Sequence, residues 1–215
     1  AAAQPQAAHY KLERFIAIAE EVGLIHEIGE RVLRRACVAA KTWPAHVTLS
    51  IDIHASQLRD AQLAARIIQI LTEADIAPAR LEVDVTESAF VADLDNARNV
   101  LGALRAAGIR IALDNFGTGY SSLYHLRSFR LDKVKIDRSF VRAMTSQRES
   151  AGIVQALVGL GQGLGMTIAA EGIDASDQEG ALIGTGCEQG QGDLLGGQLN
   201  AEAAAALFDA PQNAS

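Results

Sequence analysis

Five residues of this 215-residue chain could do chemistry together: Asp52, Asp84, Asp114, Lys135 and Glu171. Each stands in the closing residues of a different short run rich in β-branched side chains. A carboxylate in such a place has a plain reading, since it can cap the helix that follows and favour the positive end of its dipole. Taken together, three or four carboxylates and one lysine make a hard-cation site. Mg²⁺ takes oxygen ligands, and a lysine neutralises charge developing on a phosphoryl oxygen. Hydrolysis of a phosphodiester by two such ions is the reaction class the set suggests.

The elements that must position these residues follow from the pattern of the chain. Phe15, Ile18, Ala19 and Val22 recur at helical spacing, as do Ile28, Val32 and Ala36, with Gly23 between the two helices. Six strand-like runs follow: 48–53, 81–86, 110–114, 133–137, 167–171, and a weaker one from Cys187 towards Gly190. Helices are predicted over 57–74, 95–107, 121–129, 150–164, 177–183 and 201–208, with Gly108 and Gly165 just past two of them as left-handed C-terminal residues. Alternation of this kind implies a parallel sheet, closed as a barrel or doubly wound. Polar residues ending five separate strands favour the barrel, because there the strand ends converge on one face, whereas an open sheet spreads them along a line.

Composition narrows the partners. The net charge of −7 argues against DNA, RNA or a membrane surface held by bulk electrostatics, and leaves room for a small anion in a local site. No apolar run approaches the length of a membrane span, so the chain reads as cytoplasmic, with no membrane contact of its own. Cys37 and Cys187 lack metal-ligand spacing and read as small buried hydrophobes. His54 follows a strand end but has no paired ligand.

Four segments carry a resemblance: Ile111-Ala-Leu-Asp-Asn-Phe-Gly-Thr-Gly-Tyr-Ser-Ser-Leu123, Val134-Lys-Ile-Asp-Arg-Ser-Phe140, Ala170-Glu-Gly172 and Gly190-Gln-Gly192. In order and spacing the chain resembles the EAL-domain family of cyclic di-GMP phosphodiesterases, and Glu20 to Ile28 and Leu81 to Ser88 fit the same pattern. The resemblance implies an α/β fold, a modified TIM-type (β/α) barrel over residues 10–208, with an unstructured lead-in over 1–9 and a tail over 209–215. It implies Mg²⁺ or Mn²⁺ as cofactor and cyclic di-GMP as ligand. Carried over by position, Asp114 would bridge two metals, Glu171 would hold one, and Lys135 would orient the attacking water, with Asp84, Asp52 and Asn115 as further metal positions. Gln191 falls on a late active-site glutamine. Glu87 would brace the loop Asn115 to Ser122, which contains Gly117, Thr118 and Gly119 and in the family links the metal site to a dimer interface.

The departures from the family pattern shape the functional expectation. The Glu-Ala-Leu tripeptide does not occur in the sequence, and the barrel is expected to lack its first two strands. Asp52 stands at a family asparagine, Asp84 at a glutamate, and Asn115 at the second of two aspartates. Asp193 and Gln198 stand where an aromatic residue and a proline usually help hold a guanine. Asp84 is one methylene short, and Asn115 removes a full charge, so the second metal should bind weakly. The expectation is a cyclic di-GMP signalling domain that is catalytically impaired and acts as a receptor or interaction module, as a homodimer. The alternatives are a working metal-dependent phosphodiesterase giving linear pGpG, and a dimerisation scaffold without nucleotide.

Overall fold

A computed structural model describes residues 5–117 and 129–209. It opens on two helices, α1 (Pro5–Glu21), which starts inside the stretch expected to be unstructured, and α2 (Ile25–Ala40). Gly23, at φ +75°, ends the first in the left-handed region, and the Leu24 N–H closes back onto the Ala19 carbonyl at 2.8 Å. Strand and helix then alternate through β1 (Leu49–Ile53), α3 (Ala55–Leu58), α4 (Leu63–Glu73), β2 (Leu81–Thr86), α5 (Glu87–Ala92), α6 (Leu94–Ala106) and β3 (Arg110–Phe116). The second half runs β4 (Lys133–Ile136), α7 (Arg138–Ala143), α8 (Arg148–Gly163), β5 (Thr167–Glu171), α9 (Ser176–Thr185), β6 (Gln189–Gln191) and α10 (Ala201–Asp209).

The strands pair in chain order, β1 to β6, and every pairing is parallel. This is the expected α/β architecture, six parallel strands forming a half-barrel. Side chains alternate across each strand. On the outer face Leu49, Ile53, Leu81, Val83, Val85, Ile111, Leu113, Val134, Ile136 and Ile168 are buried in one apolar cluster with the helices. That leaves Ser50, Asp52, Glu82, Asp84, Ala112, Asp114, Lys133, Lys135, Ala169 and Glu171 for the concave face. Helix and strand pack tightly at Gly161 of α8, where a Cβ would collide with the side chain of Ile168.

Several elements differ from expectation. The helix predicted over 57–74 is two helices, because Asp60 interrupts it. The Asp60 carboxylate accepts from the Gln62 N–H at 2.9 Å and pairs with Arg66, while Asn96 Nδ2 donates to the Leu58 carbonyl that the break exposes. Two short helices, α5 and α7, are additional to those predicted, and the last strand is Gln189–Gln191 rather than a run from Cys187. The predicted helix at 121–129 lies outside the described residues except for Phe129, as do Thr118 and Gly119. Both cysteines are free, Cys37 buried in the core and Cys187 half-buried. No helix among the described residues is long and apolar enough to cross a membrane.

Candidate functional site

Each strand end hands its polar residue to the concave face and then turns away. Register sets Asp52 directly beside Asp84, Thr86 beside Asp114, and Glu171 beside Gln191. After β5 the chain turns at Gly172, φ +73°, where a Cβ would stand 2.5 Å from that of Arg138, so only glycine fits. Between β3 and β4 the register shifts after Leu113 and resumes at Phe116. Asn115 sits in that irregularity at φ +54°, a left-handed conformation that asparagine tolerates. Its N–H donates to Asp114 Oδ1 at 2.8 Å and its Nδ2 to Asp114 Oδ2 at 2.9 Å. Asn115 therefore grips the aspartate before it with both donors.

At the centre lies an ion pair. Lys135 Nζ donates to Asp84 Oδ2 at 2.5 Å and stands 3.6 Å from Glu171 Oε1. Ser50 Oγ donates to the same Asp84 oxygen at 2.6 Å, and Asp84 Oδ1 is buried without a hydrogen-bond partner among the described residues. One step further from the strand ends, Lys133 pairs with Glu82 at 2.7 Å, and Glu82 Oε2 is likewise buried with no hydrogen-bond partner among the described residues. A cavity of about 190 Å³ joins the two levels and is lined by Ser50, Glu82, Lys133, Lys135, Glu171 and Gln191 among others.

Burial pushes the carboxyls of Asp84, Asp114, Glu171 and Asp52 all above their ordinary values. Repulsion adds to it, from Asp114 on Glu171 and from Asp84 on Asp52. Asp52 is solvent-exposed at the rim, yet enough protein mass surrounds its carboxylate for the shift to hold. Burial alone would lower the Lys135 pKa. The charge and hydrogen bond of Asp84, then Glu171 and Asp114, outweigh it and hold the ammonium above the usual lysine value.

The structure thus brings Asp52, Asp84, Asp114, Lys135 and Glu171 to one face, with Gln191 on the cavity wall. Asp193, in the turn after β6, is exposed and does not line the cavity. The Gly117 N–H points at Glu87 Oε1, 3.5 Å away. Asp137 and Asp93 follow the plain reading instead, as caps of α7 and α6. Sequence reasoning missed Ser50, Glu82 and Lys133. The signal was there, since each stands two residues before Asp52, Asp84 or Lys135 and so on the same face of its strand.

The donor set does not fit a preformed metal centre. Among the described residues no three His, Cys, Asp or Glu side chains are grouped to hold an ion, and the cation that the carboxylates surround is the Lys135 ammonium.

Comparison with known proteins places the geometry. The EAL domain model matches residues 2–198. The chain is 37% identical over 193 residues to the bifunctional diguanylate cyclase/cyclic di-GMP phosphodiesterase MucR of Pseudomonas aeruginosa, covering 88% of this chain and 28% of MucR. The solved MucR phosphodiesterase in complex with c-di-GMP is 36% identical and superimposes with a TM-score of 0.85, covering 89% of this chain and 79% of that one. The manganese/cy-diGMP complex of Klebsiella pneumoniae BlrP1 is 31% identical with a TM-score of 0.76, covering 85% of this chain and 47% of BlrP1. The chain spans about a quarter of the length of the curated relatives it matches.

Proposed function

The chain belongs to the EAL-domain family, and from that footing we propose that it is a cyclic di-GMP signalling domain with an impaired hydrolytic step, acting as a receptor or interaction module. One observation carries the proposal. The carboxylates at the strand ends converge on the ammonium of Lys135, and no three of them group into a metal site among the described residues. Phosphodiester cleavage needs positive charge aimed at the oxygens where negative charge develops. Here the available ammonium is already held by Asp84, with Glu171 beside it.

The same electrostatics set the terms of binding. Cyclic di-GMP brings two phosphodiester charges to a concave face where Lys135 stands among Asp52, Asp84, Asp114 and Glu171 and where Lys133 is already paired with Glu82. Repulsion is relieved as those carboxyls take up protons, and their raised pKa values bring that uptake closer to neutrality. Gln191 supplies a neutral polar contact on the wall. Calorimetric titration with cyclic di-GMP tests the reading. Binding should be tighter at pH 5.5 than at pH 8, without formation of linear pGpG. Absence of binding at both pH values leaves a scaffold, and turnover makes the domain a phosphodiesterase.

A further inference from the structure

Two lysines stand on the concave side of β4, two residues apart, and both reach past β3 to take a carboxylate from β2. Lys133 pairs with Glu82 and Lys135 with Asp84. The reach is possible because β3 presents Ala112 at this level, fully buried and in register with Asp84 on one side and Lys133 on the other. A larger side chain there would fill the space the lysines cross. The outer neighbours Val134 and Ile136 are locked in the core, so Lys135 cannot turn away from the cavity.

Ser50 completes the arrangement from β1. Its hydroxyl donates to Asp84 Oδ2, the oxygen that Lys135 also takes, which fixes the carboxylate with one face towards the ammonium. Asp84 is 4% exposed and Lys135 9% exposed, so the pair is shielded from water and its attraction is little screened. A divalent ion approaching Asp84 must displace or repel that ammonium at short range.

We infer that Lys135 is the built-in cation of this site, clamped through Asp84 and Ser50 across Ala112, and that it competes with divalent metal for the carboxylates. The inference deepens the impaired-hydrolysis reading and rests on it for its significance. Its test does not, because it needs no nucleotide.

Mn²⁺ is titrated into the intact chain and free ion is followed by electron paramagnetic resonance. The wild type should leave Mn²⁺ free through the micromolar range. Lys135→Met and Lys135→Gln should bind it more tightly by on the order of tenfold or more, the scale on which groups contacting a ligand change metal affinity. Lys133→Gln, which removes the same charge one level away, should stay within about twofold of wild type on the same scale. If Lys135→Met leaves Asp84 too costly to bury alone, Lys135→Gln still donates to it and carries the measurement. Micromolar Mn²⁺ binding by the wild type would overturn the inference. So would a folded Lys135→Gln that binds no more tightly, or an equal gain in Lys133→Gln. Any of these outcomes bears on the lysine alone, whereas failure of the cyclic di-GMP titration bears on the proposed function.

Discussion

Asp84 Oδ2 accepts two hydrogen bonds inside the half-barrel, from Lys135 Nζ and from Ser50 Oγ, while its other oxygen is buried with no partner among the described residues. A carboxylate in this position is worth little as net stabilisation, because desolvating both charges offsets their attraction, yet removing one partner leaves the other charge stranded. Asp84→Ala should therefore destabilise the chain by about 3–5 kcal/mol. Urea unfolding at pH 7 reads this directly. A loss below about 1 kcal/mol would place the pair in the class of screened surface bridges and remove the basis for a clamped lysine.

Asp52 gives a prediction with a pH signature. Burial, then the facing Asp84, hold its pKa in the folded chain above the ordinary value of 3.8. An acid that is harder to ionise in the folded state binds protons more readily there, so its contribution to stability declines as pH rises through the raised pKa. Below 3.8 the group is neutral in both states and contributes no difference. Asp52→Asn should raise the melting temperature at pH 7 and leave it unchanged at pH 3. The gain should be small, since solvent at the rim screens the charge. A loss at pH 7 would mean that Asp52 is held by a favourable partner.

Gly172 follows Glu171 at φ +73°, against the backbone and Cβ of Arg138. Gly172→Ala should cost about 1–3 kcal/mol for the strained conformation and collision together. It should also displace the Glu171 carboxylate from its place 3.6 Å from Lys135. Thermal unfolding measures the first effect, and a Lys135 side-chain ammonium resonance measures the second. An unchanged resonance in a destabilised variant would show that the turn does not set the carboxylate.

Self-association is expected of this chain expressed by itself. Among the described residues β1 and β6 each have a strand neighbour on one side only, and unpaired strand edges invite pairing. Leu12, Phe15 and Ile18 of α1, with Val22 just past its end, lie about half exposed at helical spacing and add an apolar stripe. Light scattering across a concentration series should show a mass above that of the monomer, rising with concentration. A constant monomer mass at high concentration would contradict it.

The strand ends were legible because a β-branched run that closes on a carboxylate, repeated between helical stretches, is the pattern of parallel strands with polar ends. Asp52, Asp84, Asp114, Lys135 and Glu171 could be placed on one face from that alone. Which of them would touch was not legible. The pairing of Lys135 with Asp84 depends on register across three strands and on a small residue, Ala112, in the middle one. The grip of Asn115 on Asp114 depends on a left-handed backbone inside a register shift, and neither leaves a period in the sequence. Helices as short as α5 and α7 contain too few turns for a 3.6-residue repeat to show.

The central claim, that this EAL domain binds without hydrolysing efficiently, is tested most directly by following conversion of cyclic di-GMP to linear pGpG in Mn²⁺ and in Mg²⁺. The account predicts no turnover, or turnover several orders of magnitude below an ordinary enzyme rate of about 1–10³ s⁻¹, with no further loss in Asp114→Ala. Turnover at an ordinary rate in Mn²⁺, abolished by Asp114→Ala, would contradict it.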